Sequence, residues 1–86
     1  MKFEVSTHLS PEEVLQKAEA YYAEHTGMTV AERGADLLEL SGAIGRAIIK
    51  AYRDHGHTTV YAETNRGVGL DVTDQTLRFL HRIPHI

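Results

Sequence analysis

From Ile44 to Asn65 the chain alternates between two kinds of side chain on both sides of His55-Gly56, and this pattern constrains the fold more than any other feature. Successive side chains of a strand point to opposite faces, so a hairpin turning at that dipeptide sorts the stretch into two sets. One face carries Ala47, Ile49, Ala51, Val60 and Ala62, which are apolar and mostly small, a surface that a helix can approach closely. The other carries Arg46, Ile48, Lys50, Tyr52, Thr59, Tyr61 and Glu63, an amphipathic set rich in Ile and Tyr. A two-residue loop sets the register: Lys50 opposes Tyr61, Tyr52 opposes Thr59 and Ile48 opposes Glu63.

The competing assignment is a helix over residues 41–53. Ile44, Ala47, Ile48, Ala51 and Tyr52 fall at helical spacing, so periodicity alone permits it. Two features oppose it. Gly45 costs about 1 kcal/mol inside a helix, and the adjacent Ile48 and Ile49 favour a strand. His55-Gly56 suits a tight turn because Gly tolerates positive φ and His is less averse to it than most residues. Thr58-Thr59-Val60-Tyr61 then follows at once with strong β character. The hairpin is the preferred reading.

The remaining elements are legible from shorter signals. Lys2 to Leu9 reads as a strand, with Phe3, Val5, Thr7 and Leu9 alternating with Lys2, Glu4, Ser6 and His8. Ser10-Pro11-Glu12-Glu13 opens a helix: Ser10 caps free N–H groups, Pro11 suits the first position and Glu13 completes a capping box. Val14, Leu15, Ala18, Tyr21 and Tyr22 recur at helical spacing, and Gly27 supplies the stop. Because Tyr21 and Tyr22 are adjacent, at most one of them is expected to point fully into the core. Met28 to Glu32 and Asp36 to Ser41 read as strands around Arg33-Gly34-Ala35, with Val30, Leu38 and Leu40 inward and a turn at Gly42. A last helix follows Gly67 and Gly69, capped by Asp71, with Val72, Thr76, Phe79, Leu80 and Ile83 on one stripe and Pro84 at its end.

The predicted architecture is a single α+β domain over residues 1–86, ordered β-α-β-β-β-β-α, with an antiparallel sheet of about five strands and two helices on one face. The helical alternative gives β-α-β-β-α-β-α. This order resembles the TATA-box-binding-protein-like fold and, more distantly, the helix-grip proteins of the START and polyketide-cyclase type. The segment Thr73-Asp74-Gln75-Thr76-Leu77-Arg78-Phe79-Leu80-His81-Arg82-Ile83-Pro84 looks like the closing helix of such small domains. The resemblance spans the chain, rests on element order and carries over no functional residue.

Eighty-six residues suffice for one small core, and a hydrophobic fraction of 42% argues against disorder. With no cysteine there is no disulfide framework, thiol nucleophile or thiolate metal site, and a cytoplasmic protein is expected. Met1 to Val5 alternates rather than presenting the apolar run of a secretory signal, and no apolar run approaches the ~20 residues that span a bilayer. The net charge of −3 supplies no general attraction for nucleic acid. Protonating all six histidines would carry it to +3.

Chemistry-bearing motifs are few. His55-Gly56-His57 and His81-Arg82-Ile83-Pro84-His85 have metal-like spacings. The first pair lies in a turn, and Pro84 interrupts the second, so no metal and no cofactor are expected. Asn65-Arg66-Gly67-Val68-Gly69-Leu70-Asp71 lacks the third glycine of a dinucleotide loop, and Asp71 would place negative charge where a phosphate should sit. Asp71 with Asp74, and Glu12 with Glu13, are explained as acids near helix N-termini. Ser6, Ser10 and Ser41 have no nucleophile motif around them, so an enzyme is disfavoured.

What remains is the Ile-Tyr face. Covering Ile48, Tyr52 and Tyr61 could contribute about 1.5–3 kcal/mol each before association costs. The expected function is therefore a self-associating interaction module, a symmetric dimer formed through Arg46, Ile48, Lys50, Tyr52, Tyr61 and Glu63. The alternative is a small-ligand-binding protein or enzyme with a pocket between sheet and helices. Nucleic-acid binding through the sheet ranks third: Arg46, Lys50, Arg53 and two tyrosines favour it, while overall acidity and Glu63 oppose it.

Overall fold

A computed structural model describes residues 1–65 and 71–85, with the backbone alone at Asp71. The elements are β1 (Lys2–Thr7), α1 (Pro11–His25), β2 (Thr29–Arg33), β3 (Leu37–Gly42), β4 (Gly45–Asp54), β5 (His57–Thr64) and α2 (Asp71–Arg82). The order is β-α-β-β-β-β-α, and residues 45–54 form a strand rather than part of a helix. All neighbouring strands pair antiparallel in the spatial order β1-β5-β4-β3-β2. The long hairpin β4–β5 thus sits in the middle, and the first strand returns to pair with the last.

The hairpin turns as its sequence demands. His55 and Gly56 take φ values of 52° and 84°, both positive, as a type I′ loop requires. The register places Ile48 opposite Glu63, Lys50 opposite Tyr61 and Tyr52 opposite Thr59. The next hairpin turns through Ala43 and Ile44, with Gly42 paired to Gly45, so Ile44 belongs to the loop rather than to the strand. Gly42 also permits a close approach, because a Cβ there would lie 2.9 Å from Cγ of Met28.

Helix α1 starts where the capping box predicts. Ser10 Oγ accepts from the Glu13 N–H at 3.2 Å, and Glu13 Oε1 accepts from the Ser10 N–H at 3.3 Å. Ser10→Ala should cost about 1 kcal/mol, read as a lower urea midpoint at unchanged slope. The helix closes at Thr26, whose backbone N–H and hydroxyl both donate to the Tyr22 carbonyl.

Both helices pack on one side of the sheet, α1 against β2 to β5 and α2 against β4 and β5. The small-residue strip does what the alternation requires: Ala47, Ile49, Ala51, Val60 and Ala62 are wholly buried. Leu38, Leu40, Val72, Phe79, Leu80 and Ile83 join them, with Phe3, Val5, Leu9, Leu15 and Val30 partly buried at the margin. Thr76, on the same stripe of α2, is also closed to solvent.

One expectation about this core is corrected. Tyr21 and Tyr22 are both buried, at 5% and 0% exposure. Adjacent helical residues diverge by about 100°, so a helix resting on a single layer covers only one of them. Helix α1 has two neighbours, however. The Tyr22 hydroxyl bonds Thr76 Oγ1 inside the core, while Tyr21 lies in the seam toward α2 and donates to Gln75 Oε1 at 2.7 Å. The expected capping role of Asp71 concerns a side chain outside the described set, and the Gly67/Gly69 loop lies outside the described residues.

Candidate functional site

The uncovered side of the sheet is built by the residues that alternate with the core. Reading the register across the strands gives rows of neighbours. One row runs Lys2, Glu63, Ile48, Glu39, Glu32, and the next Glu4, Tyr61, Lys50, Leu37. A third contains Ser6, Thr59 and Tyr52. The six residues singled out from the sequence, Arg46, Ile48, Lys50, Tyr52, Tyr61 and Glu63, therefore share one face across two adjacent strands.

Within this face Tyr52 stands out at 42% exposure, a large aromatic left uncovered by its own chain. Ile48, Tyr61 and Leu37 are half-buried beside it. Lys50 Nζ lies 5.9 Å from the centre of the Tyr61 ring, within the range of a cation–π contact. Thr59 is on this face by register yet only 6% exposed, flanked by Ser6 and Tyr52.

The face extends beyond the six residues first identified. Leu37 and Glu39 on β3, Glu32 on β2, and Lys2 and Glu4 on β1 belong to it as well. Their signal was present in the alternation: with Leu38 and Leu40 inward, Leu37 and Glu39 must point out. Glu39 Oε2 accepts from Arg46 Nη2 at 2.5 Å, tying β3 to β4. Arg53 does not join Arg46 and Lys50, because it falls in register with Ala47, Ile49 and Ala51 on the other side. Among the described residues the outer rows and Arg46 thus present Glu4, Glu32, Glu39 and Glu63 against Lys2, Arg46 and Lys50. Carboxylates outnumber cations where a nucleic acid would need the reverse.

The helical side offers a different kind of surface. Three concavities of the described surface are open to solvent and measure about 220, 220 and 270 Å³. One follows the seam between α1 and α2, where the Tyr21 ring is stacked on His25 at 4.3 Å and the Arg82 guanidinium lies 5.1 Å from the Tyr21 centroid. A second lies on the outer sheet face beside Arg46, Ile48 and Glu63. The third opens at the other end of the helix seam, near Ile44, Asp74 and Arg78. Beneath α2 itself, Phe79, Leu80 and Ile83 meet the sheet with at most 3% of their surface exposed.

The histidine pairs are placed individually. His55 occupies the turn, with Nε2 3.3 Å from Asp54 Oδ1, and His85 donates from its ring to the Leu80 carbonyl at 2.6 Å. Among the described residues no three His, Asp or Glu side chains gather in a metal-binding arrangement. Among the described residues no helix is long and apolar enough to cross a membrane. Compared with known proteins, the chain matches no protein-family model and no curated protein.

Proposed function

We propose that the protein is an interaction module that self-associates through its outer sheet face as a symmetric dimer, in a cytoplasmic setting. The observation that carries this reading is Tyr52, which with Ile48, Tyr61 and Leu37 forms an amphipathic patch facing away from both helices. Charged and apolar side chains interleave on this face, Lys50 between Tyr61 and Leu37 and Glu63 beside Ile48, and an isologous contact uses one such patch twice, so each charge can meet a complementary group of the second copy.

Four strands at about 4.8 Å and six residues at about 3.4 Å give a footprint roughly 19 by 20 Å. That is roughly 380 Å² per copy, about half the ~800 Å² per partner of a standard interface, so weak association with dissociation in the high micromolar range is expected. Sedimentation across the micromolar range should show mass rising with concentration. Tyr52→Asp or Tyr61→Asp should weaken association at least tenfold, because either loses about 1.5–3 kcal/mol of apolar burial and adds an unpaired carboxylate. A protein that stays monomeric at several hundred micromolar, by the range in which weak specific contacts form, would end this reading.

A ligand pocket between sheet and helices draws less support, since Phe79, Leu80, Ile83 and the strip they cover are closed to solvent. Nucleic-acid binding draws less again from a face on which carboxylates outnumber cations.

A further inference from the structure

We infer that β1 carries a second contact surface, its free edge pairing antiparallel with β1 of another copy of the chain. In the sheet β1 has β5 on one side, and no strand of the described residues closes the other. Which backbone groups face that open edge follows from Met1 and Thr64, which exchange both of their N–H···O bonds at 2.7 and 2.8 Å. Along an antiparallel pair such residues alternate with ones whose groups point away. Phe3, Val5 and Thr7 therefore bond β5, while the N–H and C=O groups of Lys2, Glu4 and Ser6 face outward.

The side chains at this edge are also incompletely covered. The helices rest on β2 to β5. On their side of β1, Met1 is 62% exposed, and Phe3 and Val5 are only half-buried. Met1 and Tyr52 are the two exposed large hydrophobics among the described residues, and they lie on opposite sides of the sheet. Covering Tyr52 thus leaves Met1 in water. The opposite edge differs: β2 breaks register between Val30 and Glu32, an irregularity of the kind that blunts a sheet edge, whereas β1 runs regularly from Lys2 to Thr7.

A second copy fits this edge because the strand complements itself. A two-fold axis normal to the sheet makes two β1 strands antiparallel and keeps the helices of both copies on one side. Centred on Phe3, it sets Lys2 opposite Glu4 in both directions, each pair joined through its outward backbone groups. On the helix side Phe3 meets Phe3 and Met1 meets Val5. Opposite charges and apolar side chains directly across a ladder are the pairs that stabilise a sheet. An edge lysine ordinarily keeps strands apart; here the incoming strand brings the carboxylate that neutralises it. An axis through Glu4 or Val5 would join the same edges with Ser6 also bonded, so the Ser6 amide reports the register. The contact lies in the plane of the sheet and uses neither Tyr52 nor Tyr61.

The test uses the full chain carrying Tyr52→Asp, which weakens the outer-face contact and leaves β1 as it is. Amide exchange with water is followed by NMR from dilute solution up to about 1 mM, where weak contacts form. Exchange at Lys2 and Glu4 should slow about twofold or more at the top of this range, while Ser6 stays constant. Glu4→Pro removes one outward N–H and none of the bonds to β5, a change that an edge strand tolerates, and should abolish the slowing at Lys2. Lys2→Glu should abolish it too, and adding Glu4→Lys should restore it, which keeps the test open if the proline variant folds poorly. Slowing that extends to Ser6 supports the edge pairing and overturns the register centred on Phe3. Exchange at Lys2 and Glu4 that is independent of concentration, whether fast throughout or already slow in dilute solution, overturns the pairing itself. So does slowing that survives Lys2→Glu unchanged.

Discussion

Phe79→Ala is expected to lower the unfolding free energy by about 3–5 kcal/mol. The ring is 1% exposed and lies 5.8 Å from the Tyr21 ring and 6.2 Å from the Tyr22 ring, where both helices meet over the sheet. Its removal leaves a cavity bounded by elements that cannot easily collapse, since each is fixed by its own hydrogen bonds. A domain of this size has a total stability of only about 4–13 kcal/mol, so the loss approaches unfolding. In urea the midpoint should fall by at least about 1 M with the slope unchanged. Leu77→Ala, at a half-buried position of the same helix, is the control and should cost far less. A loss below about 1 kcal/mol for Phe79→Ala would mean that α2 does not close the core.

The second large effect is a loss of stability above pH 10. Burial pushes the Tyr22 phenol up to about 12, opposed in part by its hydrogen bond with Thr76. The unfolded chain releases that proton near pH 10, while the folded chain keeps it until about 12. Between those values the native state binds more protons than the unfolded state, so stability falls as pH rises. The contribution is fully present below pH 10, and a two-unit difference amounts to about 2–3 kcal/mol by pH 12. Tyr22→Phe isolates it from the other alkaline titrations. At neutral pH this variant should be less stable by about 1 kcal/mol, because Thr76 Oγ1 is left buried without its partner. Near pH 12 the order should reverse. Urea unfolding of both proteins at neutral and alkaline pH measures the crossing, and a constant difference at all pH values would contradict the buried phenol.

The hairpin shows how much was legible in the sequence. Its turn, register and two faces all follow from the period-two pattern and from His55-Gly56, because neighbours within a strand and across a tight turn are fixed locally. The cap at Ser10 and the buried stripe of α2 were legible for the same reason. Helical periodicity buries only one of Tyr21 and Tyr22, because a helical wheel reports one covered side, and α2 supplies the second. The pairing of Arg33 with Glu19, at 2.5 Å between Nη2 and Oε1, depends on how α1 crosses the sheet edge, which local periodicity does not encode. The break in register between Val30 and Glu32 leaves no signature in the sequence beyond a short strand.

The candidate face divides in the same way. Alternation places Ile48, Lys50, Tyr52, Tyr61 and Glu63 on one side of the hairpin whatever the order of the strands around it. Which strands flank that hairpin was decided in three dimensions, when β1 closed against β5 and brought Lys2 and Glu4 to one rim while β3 brought Leu37 and Glu39 to the other. The sequence by itself determined which side chains share a face, because successive side chains of a strand point to opposite faces. Only the tertiary structure decided which strands flank them and how the two helices divide the covered face, because those contacts join segments tens of residues apart.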